Sequence, residues 1–102
     1  MAVVEISIVP VGTKTPSVSK YVARAVSLLK GEPGITYEAT AMGTIIEGDL
    51  DRVLAVVRKM HESAFDGEVM RVVTTVKIDD RRDKPLSMTG KLSSLEREIK
   101  RL

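Results

Sequence analysis

The sequence predicts a ferredoxin-like α+β sandwich, in which two helices cover one face of a four-stranded antiparallel sheet and a further helix follows at the C-terminus. Two observations predict this fold. Alternating apolar and polar residues mark four strands, and apolar residues spaced three or four apart mark helices between them, in the order βαββαβ. Because 102 residues allow one modest core, we expect residues 1–102 to form a single domain.

The N-terminal third predicts a strand, a loop and a helix. The strand is expected from Ala2 to Val11, with Val4, Ile6 and Ile8 on one face and Glu5, Ser7 and Val9 on the other. A loop of turn-forming residues follows from Gly12 to Pro16. Ser17 or Ser19 is then expected to cap a helix that runs to about Lys30. Its inward stripe is predicted to be Val18, Val22, Ala25, Val26 and Leu29.

The stretch from Thr36 to Gly48 predicts two short strands that meet near Met42 and Gly43. Met-Gly is not the Asn-Gly or Asp-Gly pair of a standard tight hairpin. We therefore interpret Gly43 as a point where the backbone approaches another group closely.

The second half predicts a helix, a long strand and the C-terminal helix. Asp49 is the expected N-cap, Asp66-Gly67 the expected end of the helix, and the strand is expected from Glu68 to Asp79. The predicted inward face of this helix is Leu50, Val53, Leu54, Val57, His61 and Ala64. The C-terminal helix, about 89–102, carries an apolar stripe of Leu92, Leu95, Ile99 and Leu102.

The sheet face that the two helices leave open is expected to be too apolar to remain exposed to water. The residues predicted there are Glu5, Ser7, Val9, Ile45, Glu47, Val73 and Thr75. A second copy of the chain is the simplest cover, so we expect a homo-oligomer with the C-terminal helix at its interface.

Composition excludes several classes of function. The net charge is only +2, and two Tyr, one Phe and no Trp leave no aromatic platform for bases, so we expect no nucleic-acid partner. The absence of cysteine excludes disulfides, zinc-thiolate sites and thiol nucleophiles. No signal segment or membrane-length apolar run is found, which predicts a cytoplasmic protein without a membrane partner. The lack of Asn and Gln beside many Lys, Arg and Glu suggests a heat-adapted source.

Two polar features are candidates for ligand binding. The loop V-G-T-K-T-P-S-V-S, with Thr13, Ser17 and Ser19, precedes a helix N-terminus and could hold an anion, or could simply contain capping residues. Glu47 is expected on the open sheet face, where its carboxylate needs a partner. That partner could be a planar ligand such as an aminopyrimidine, or a salt bridge to Arg71, Lys77 or another chain. Tyr37 or Met42 could lie against such a ring.

No group of residues predicts catalysis. His61 is the sole histidine, and on an apolar helical face it is interpreted as a packed, hydrogen-bonded residue. Asp79, Asp80 and Asp83 are interleaved with Arg81, Arg82 and Lys84, which favours solvated turn charges over a cation site. We therefore expect no enzyme activity, no metal and no cofactor.

Four motifs in order, V-P-V-G-T, S-V-S-K-Y-V-A, G-T-I-I-E-G-D-L and R-V-V-T-T-V-K-I-D-D-R-R-D-K, resemble the small single-domain branch of the thiamine-binding, YkoF-like superfamily. The resemblance covers nearly the whole chain. It implies a ferredoxin-like fold, dimers that pair into tetramers, and binding of thiamine or its hydroxymethylpyrimidine moiety without catalysis. The pocket positions that it implies are the Gly12-Thr13 loop, Ser17, Ser19, the Met42-Gly43-Thr44 bend and Glu47.

The function predicted from the sequence is therefore binding of a thiamine-like pyrimidine. A structural or regulatory homo-oligomer, whose interface pocket binds an anion or nothing, is the alternative. A cofactor-free enzyme that uses His61 and Glu47 is a third hypothesis.

Overall fold

The computed structural model describes residues 1–102 and has the predicted ferredoxin-like architecture. Four antiparallel strands form one sheet in the order β2-β3-β1-β4. The elements are β1 Ala2–Val11, α1 Ser19–Ser27, β2 Ile35–Ala39, β3 Thr44–Gly48, α2 Leu50–Ser63, β4 Arg71–Asp80 and α3 Met88–Arg101.

Strand register confirms the predicted division of the sheet into two faces. Ile6 of β1 lies opposite Thr44 of β3 and Val76 of β4, on the face that carries α1 and α2. Glu5 lies opposite Ile45 and Lys77 on the other face. The residues predicted for the open face all lie there, because each strand keeps its period of two throughout its pairing.

The core lies between the sheet and the two helices. Its buried members are Ala2, Val4, Ile6, Ala25, Leu29, Ile46, Val53, Val56, Val57 and Met60. Burial of this apolar surface is the main force that stabilises the fold.

The predicted inward faces of α1 and α2 are correct only in part. Val22 and Leu54 are exposed, whereas Tyr21, Val56 and Met60 are buried. In α2 the buried positions follow the spacing i, i+3, i+4, i+7 from Val53, which turns the face away from Leu54. Tyr21 also packs against the cations of Lys20 and Arg24, at 5.0 and 5.5 Å from its ring centroid.

The ends of α1 also differ from the prediction. The N-cap is Val18 and no side chain caps the helix, so neither Ser17 nor Ser19 has that role. Ser19 is instead the first helical residue. The helix ends at Ser27, earlier than predicted, because the following amides bond to carbonyls three residues back, as in Leu29 N–H to Val26 O.

α3 stands apart from the core and buries none of its residues. Ser87 caps it by accepting a hydrogen bond from the amide of Gly90 at 3.0 Å. Two polar contacts join its first turn to the sheet, one from the Met88 amide to Glu47 and one from Lys91 to Asp79. No helix of the structure has the length and apolarity needed to cross a membrane.

Candidate functional site

Glu47 is held in place by two donors from different parts of the chain. Thr36, its cross-strand neighbour on β2, donates its hydroxyl to Oε1 at 2.7 Å. The backbone amide of Met88, at the first position of α3, donates to Oε2 at 2.8 Å. The carboxylate lies on the open sheet face and is half-buried, so it is fixed in orientation while one side remains accessible.

Neither of the basic residues predicted as partners of Glu47 within the chain pairs with it. Lys77 instead faces Glu5, with 3.6 Å between Nζ and Oε1, and Arg71 lies at the far end of β4. A carboxylate offers about four lone-pair sites, and the protein uses two of them here. Glu47 therefore keeps one acceptor position on each oxygen for a planar donor.

The bend between β2 and β3 is a four-residue connection organised by Thr40. Its hydroxyl donates to the carbonyl of Gly43 at 2.8 Å and accepts from the amides of Met42 and Gly43. A Cβ at Gly43 would lie 2.9 Å from the carbonyl oxygen of Ile6. The predicted close approach is confirmed, and its partner is the backbone of β1.

An apolar cleft of about 190 Å³ lies beside this bend. β3 pairs with β1 only as far as Ile6, so the β1 residues beyond it have a free edge on that side. The cleft is lined by this part of β1, by the apolar side of α1 and by the bend, including Met42, Gly43 and Thr44. Met42 is 84% exposed at its mouth.

The predicted loop before α1 lies next to the cleft, since Val18 belongs to both. Thr13 donates its hydroxyl to the carbonyl of Thr15 at 2.8 Å. The hydroxyls of Ser17 and Ser19 are 3.5 Å apart and exposed. The three side chains therefore line the approach to α1 without forming an enclosed site.

Tyr37 lies on the opposite face of the sheet from Glu47. It pairs with Ile46 across the hairpin and packs against the core. Within one chain it therefore cannot lie against a ring held by Glu47. The predicted residues thus form two groups, one at the cleft and the loop before α1, the other at Glu47, and Tyr37 belongs to neither.

His61 is a packed residue, as predicted. Its Nδ1 lies 2.6 Å from the hydroxyl of Thr74, and its ring meets that of Phe65 edge to face at 5.4 Å between centroids. These contacts fix the imidazole on the side of the sheet opposite Glu47.

The acidic residues around the connection to α3 are paired with cations, as the interleaved sequence predicts. Arg82 bonds to Asp80 and lowers the pKa of that carboxyl. Arg81 donates two hydrogen bonds, from Nε and Nη2, to the carboxylate of Asp83 and lowers its pKa from 3.8 to about 2. Both carboxyls therefore stay ionised in neutral solution as parts of surface ion pairs.

Sequence reasoning missed the two donors to Glu47. Thr36 could have been found if the hairpin register had been known, because a four-residue connection after Ala39 places it opposite Glu47. The Met88 amide carries no side-chain signal and comes from a residue 41 positions away.

Comparison with known proteins matches residues 4–96 to the model of a family described as thiamine-binding protein. A UPF0045 protein of Bacillus subtilis is 42% identical over 102 residues, which cover 97% of this chain and 98% of that protein. A second UPF0045 protein, from Staphylococcus xylosus, is 45% identical over 102 residues, which cover 97% of this chain and 95% of that protein.

Two solved structures are similar in fold. A hypothetical protein of Methanocaldococcus jannaschii has a TM-score of 0.85 at 40% identity, covering 93% of this chain and 95% of its own. A Thermotoga maritima protein, provisionally assigned to thiamine biosynthesis or salvage, has a TM-score of 0.74 over 92% of this chain and 97% of its own. At 19% identity, the second comparison establishes the fold alone.

Proposed function

The chain belongs to the thiamine-binding protein family, and from this premise we propose that it binds thiamine or the free hydroxymethylpyrimidine moiety without acting as an enzyme. The observation that carries the proposal is the fixed carboxylate of Glu47 on an otherwise open sheet face. An aminopyrimidine presents an exocyclic N–H next to a ring nitrogen that can be protonated. These two donors match the spacing of the two oxygens of one carboxylate.

Rigidity supports this role for Glu47. The side chain stands on a strand and is oriented by Thr36 and Met88, so little conformational entropy would be lost when a ligand binds. Ile45, on the same face of β3, would provide apolar contact beside the ring. A low local dielectric strengthens such a pairing.

We further propose that the working form is a homo-oligomer, a dimer or a dimer of dimers, in which a second copy covers the open face. The exposed stripe of α3 supports this, since Leu92, Leu95 and Ile99 are each more than half exposed in the single chain. A second chain would also close the site around Glu47, which otherwise lies on an open surface. The small-molecule ligand and the partner copy would then meet at the same face.

The test is calorimetry with thiamine and with free hydroxymethylpyrimidine on wild type and Glu47→Gln. Glutamine keeps the shape but replaces one acceptor by a donor and removes the charge. Loss of one charge-assisted hydrogen bond costs about 1.5–3 kcal/mol, so affinity should fall roughly ten- to hundred-fold.

Glu38→Gln is the matched control, because Glu38 lies on the same sheet face opposite Ile45 and binds neither Thr36 nor α3. Its affinity should stay within about two-fold of wild type. If wild type binds either ligand and Glu47→Gln binds it equally well, the pocket lies elsewhere, with the cleft beside Met42 as the next candidate. If wild type binds neither ligand, the ligand class is wrong.

A further inference from the structure

A second cavity, distinct from the cleft beside the bend, lies between the β4–α3 connection and one side of α3. This groove has a volume of about 770 Å³ and is lined almost entirely by polar residues. Ser87, Gly90, Lys91, Ser94 and Arg97 supply the wall formed by α3, at spacings that place them on one side of the helix. The opposite wall is formed by the last two residues of β4, Asp79 and Asp80, and by the connection that follows them as far as Leu86.

The charges in this groove do not cancel. Asp79 is paired with Lys91, and Asp80 is paired with Arg82, which lies outside the groove. Arg81 is paired with Asp83, which is also outside. The remaining lining cations, Lys84 and Arg97, form no salt bridge with any carboxylate. Two uncompensated positive charges therefore face one cavity.

Serine hydroxyls line the groove beside these cations. Arg97 Nη2 donates to the hydroxyl of Ser94 at 3.0 Å, which holds the guanidinium beside that side chain. Ser87 and Ser93 also line the groove.

We propose that this groove binds the phosphate or diphosphate group of a small molecule, with Arg97 and Lys84 as its cationic contacts and Ser94 as a hydroxyl contact. A guanidinium presents two parallel N–H groups that match two phosphate oxygens, and a lysine adds a mobile point charge. The hydroxyl of Ser94 can donate to a further oxygen while its own oxygen accepts from Arg97.

The groove and the Glu47 site share the start of α3. Glu47 binds the amide of Met88, and Ser94 follows about 9 Å further along the helix axis at 1.5 Å per residue. A phosphorylated form of the thiamine-like ligand is therefore one source of the phosphate group, and free diphosphate is the other. Only the first source rests on the function proposed above.

The experiment compares thiamine, thiamine diphosphate and inorganic pyrophosphate by calorimetry at constant ionic strength, on wild type, Arg97→Met and Lys100→Met. Lys100 is on the same helix and loses the same charge, but it does not line the groove. We expect thiamine diphosphate to bind wild type at least ten-fold more tightly than thiamine. Arg97→Met should lose most of that gain with thiamine affinity unchanged, and Lys100→Met should retain it.

The outcomes separate this proposal from the previous one. If pyrophosphate binds and depends on Arg97 while thiamine does not bind, the groove is a site for free diphosphate and the proposed thiamine function fails alone. If thiamine and its diphosphate bind equally and pyrophosphate does not bind, the groove proposal is overturned and the thiamine function stands. Equal losses in Arg97→Met and Lys100→Met would also overturn it, because the attraction would then be general surface charge.

Discussion

The two longest helices, α2 and α3, have the same length of 14 residues and very different surroundings. Both carry apolar residues three or four apart. α2 buries Val53, Val56, Val57 and Met60 against the sheet and α1, whereas every apolar residue of the α3 stripe is more than half exposed. An amphipathic pattern therefore specifies that a helix has a side to be covered, but it does not specify which surface covers that side.

The two helices are also positioned by different forces. α2 is held along its whole length by apolar burial. α3 is held at one end, where Ser87 caps it and Glu47 accepts the Met88 amide. The residue proposed to bind the ligand is therefore also the residue that joins α3 to the sheet, so ligand binding and the position of α3 meet at one carboxylate.

The largest loss of stability is expected from a substitution on the core side of α2. Met60 is 1% exposed, and Met60→Ala should lower the free energy of unfolding by about 2–5 kcal/mol, because it removes buried contacts and leaves a cavity. Urea denaturation followed by circular dichroism measures this. Met42→Ala, at the exposed mouth of the cleft, is the control and should change the value by no more than about 0.5 kcal/mol. Equal effects would mean that α2 is not the covered helix.

A change in assembly is expected from α3. Replacing Leu95 and Ile99 by serine should lower the oligomeric state measured by light scattering, because these side chains are proposed to pack on a second copy. The βαββαβ unit should keep its secondary structure, since neither residue contributes to the core. The control Ser93→Ala lies outside the stripe and should leave assembly unchanged. If the wild type is already monomeric at micromolar concentration, the proposed assembly is wrong.

The fold could be predicted from sequence because each of its signals is local. β1 was predicted at its observed bounds, since alternation over ten residues allows one register of faces. The start of α1 could not be predicted, because no side chain caps its N-terminus and valine, the residue at the N-cap position Val18, is not a residue type that indicates an N-cap. Tyr21 was missed for another reason: Val22 suits the apolar stripe equally well, and only tertiary packing selects between them.

The candidate site was less predictable because its geometry depends on contacts between distant residues. The position of Glu47 on the open face follows from alternation, but its partners come from β2 and α3. The sequence left open whether Tyr37 or Met42 could lie against a ring held by Glu47, because Met42-Gly43 does not define a turn type and so does not fix the hairpin register. Within one chain the observed register places Tyr37 on the other face of the sheet.

A smaller loss of stability, confined to the first turn of α3, is expected when the N-cap of that helix is removed. Ser87→Ala removes the hydroxyl that accepts the Gly90 amide, and loss of an N-cap costs about 1 kcal/mol. Hydrogen exchange should therefore quicken roughly five-fold in the first turn of α3 and remain unchanged in α2. Ser94→Ala, within the same helix but away from its cap, is the control. Unchanged exchange in Ser87→Ala would show that contacts with the sheet, rather than the cap, hold α3.

The smallest effect is expected from acid at the end of α2. The amide of Glu68 bonds to Asp66 and lowers the pKa of its carboxyl from 3.8, with a second bond from Val69. Because the pKa is lower in the folded protein than in the unfolded chain, Asp66 stabilises the fold above its ordinary value and this contribution is lost as the pH falls through the folded value. The free energy of unfolding should therefore decrease on going below about pH 4.

The variant Asp66→Asn tests this expectation. It keeps an acceptor oxygen but cannot titrate, so its free energy of unfolding should fall less over the same pH range, measured by urea titrations at stepped pH. An Asp66→Asn slope equal to that of wild type would show that acid acts elsewhere, with the Arg81–Asp83 pair before α3 as the next group to test.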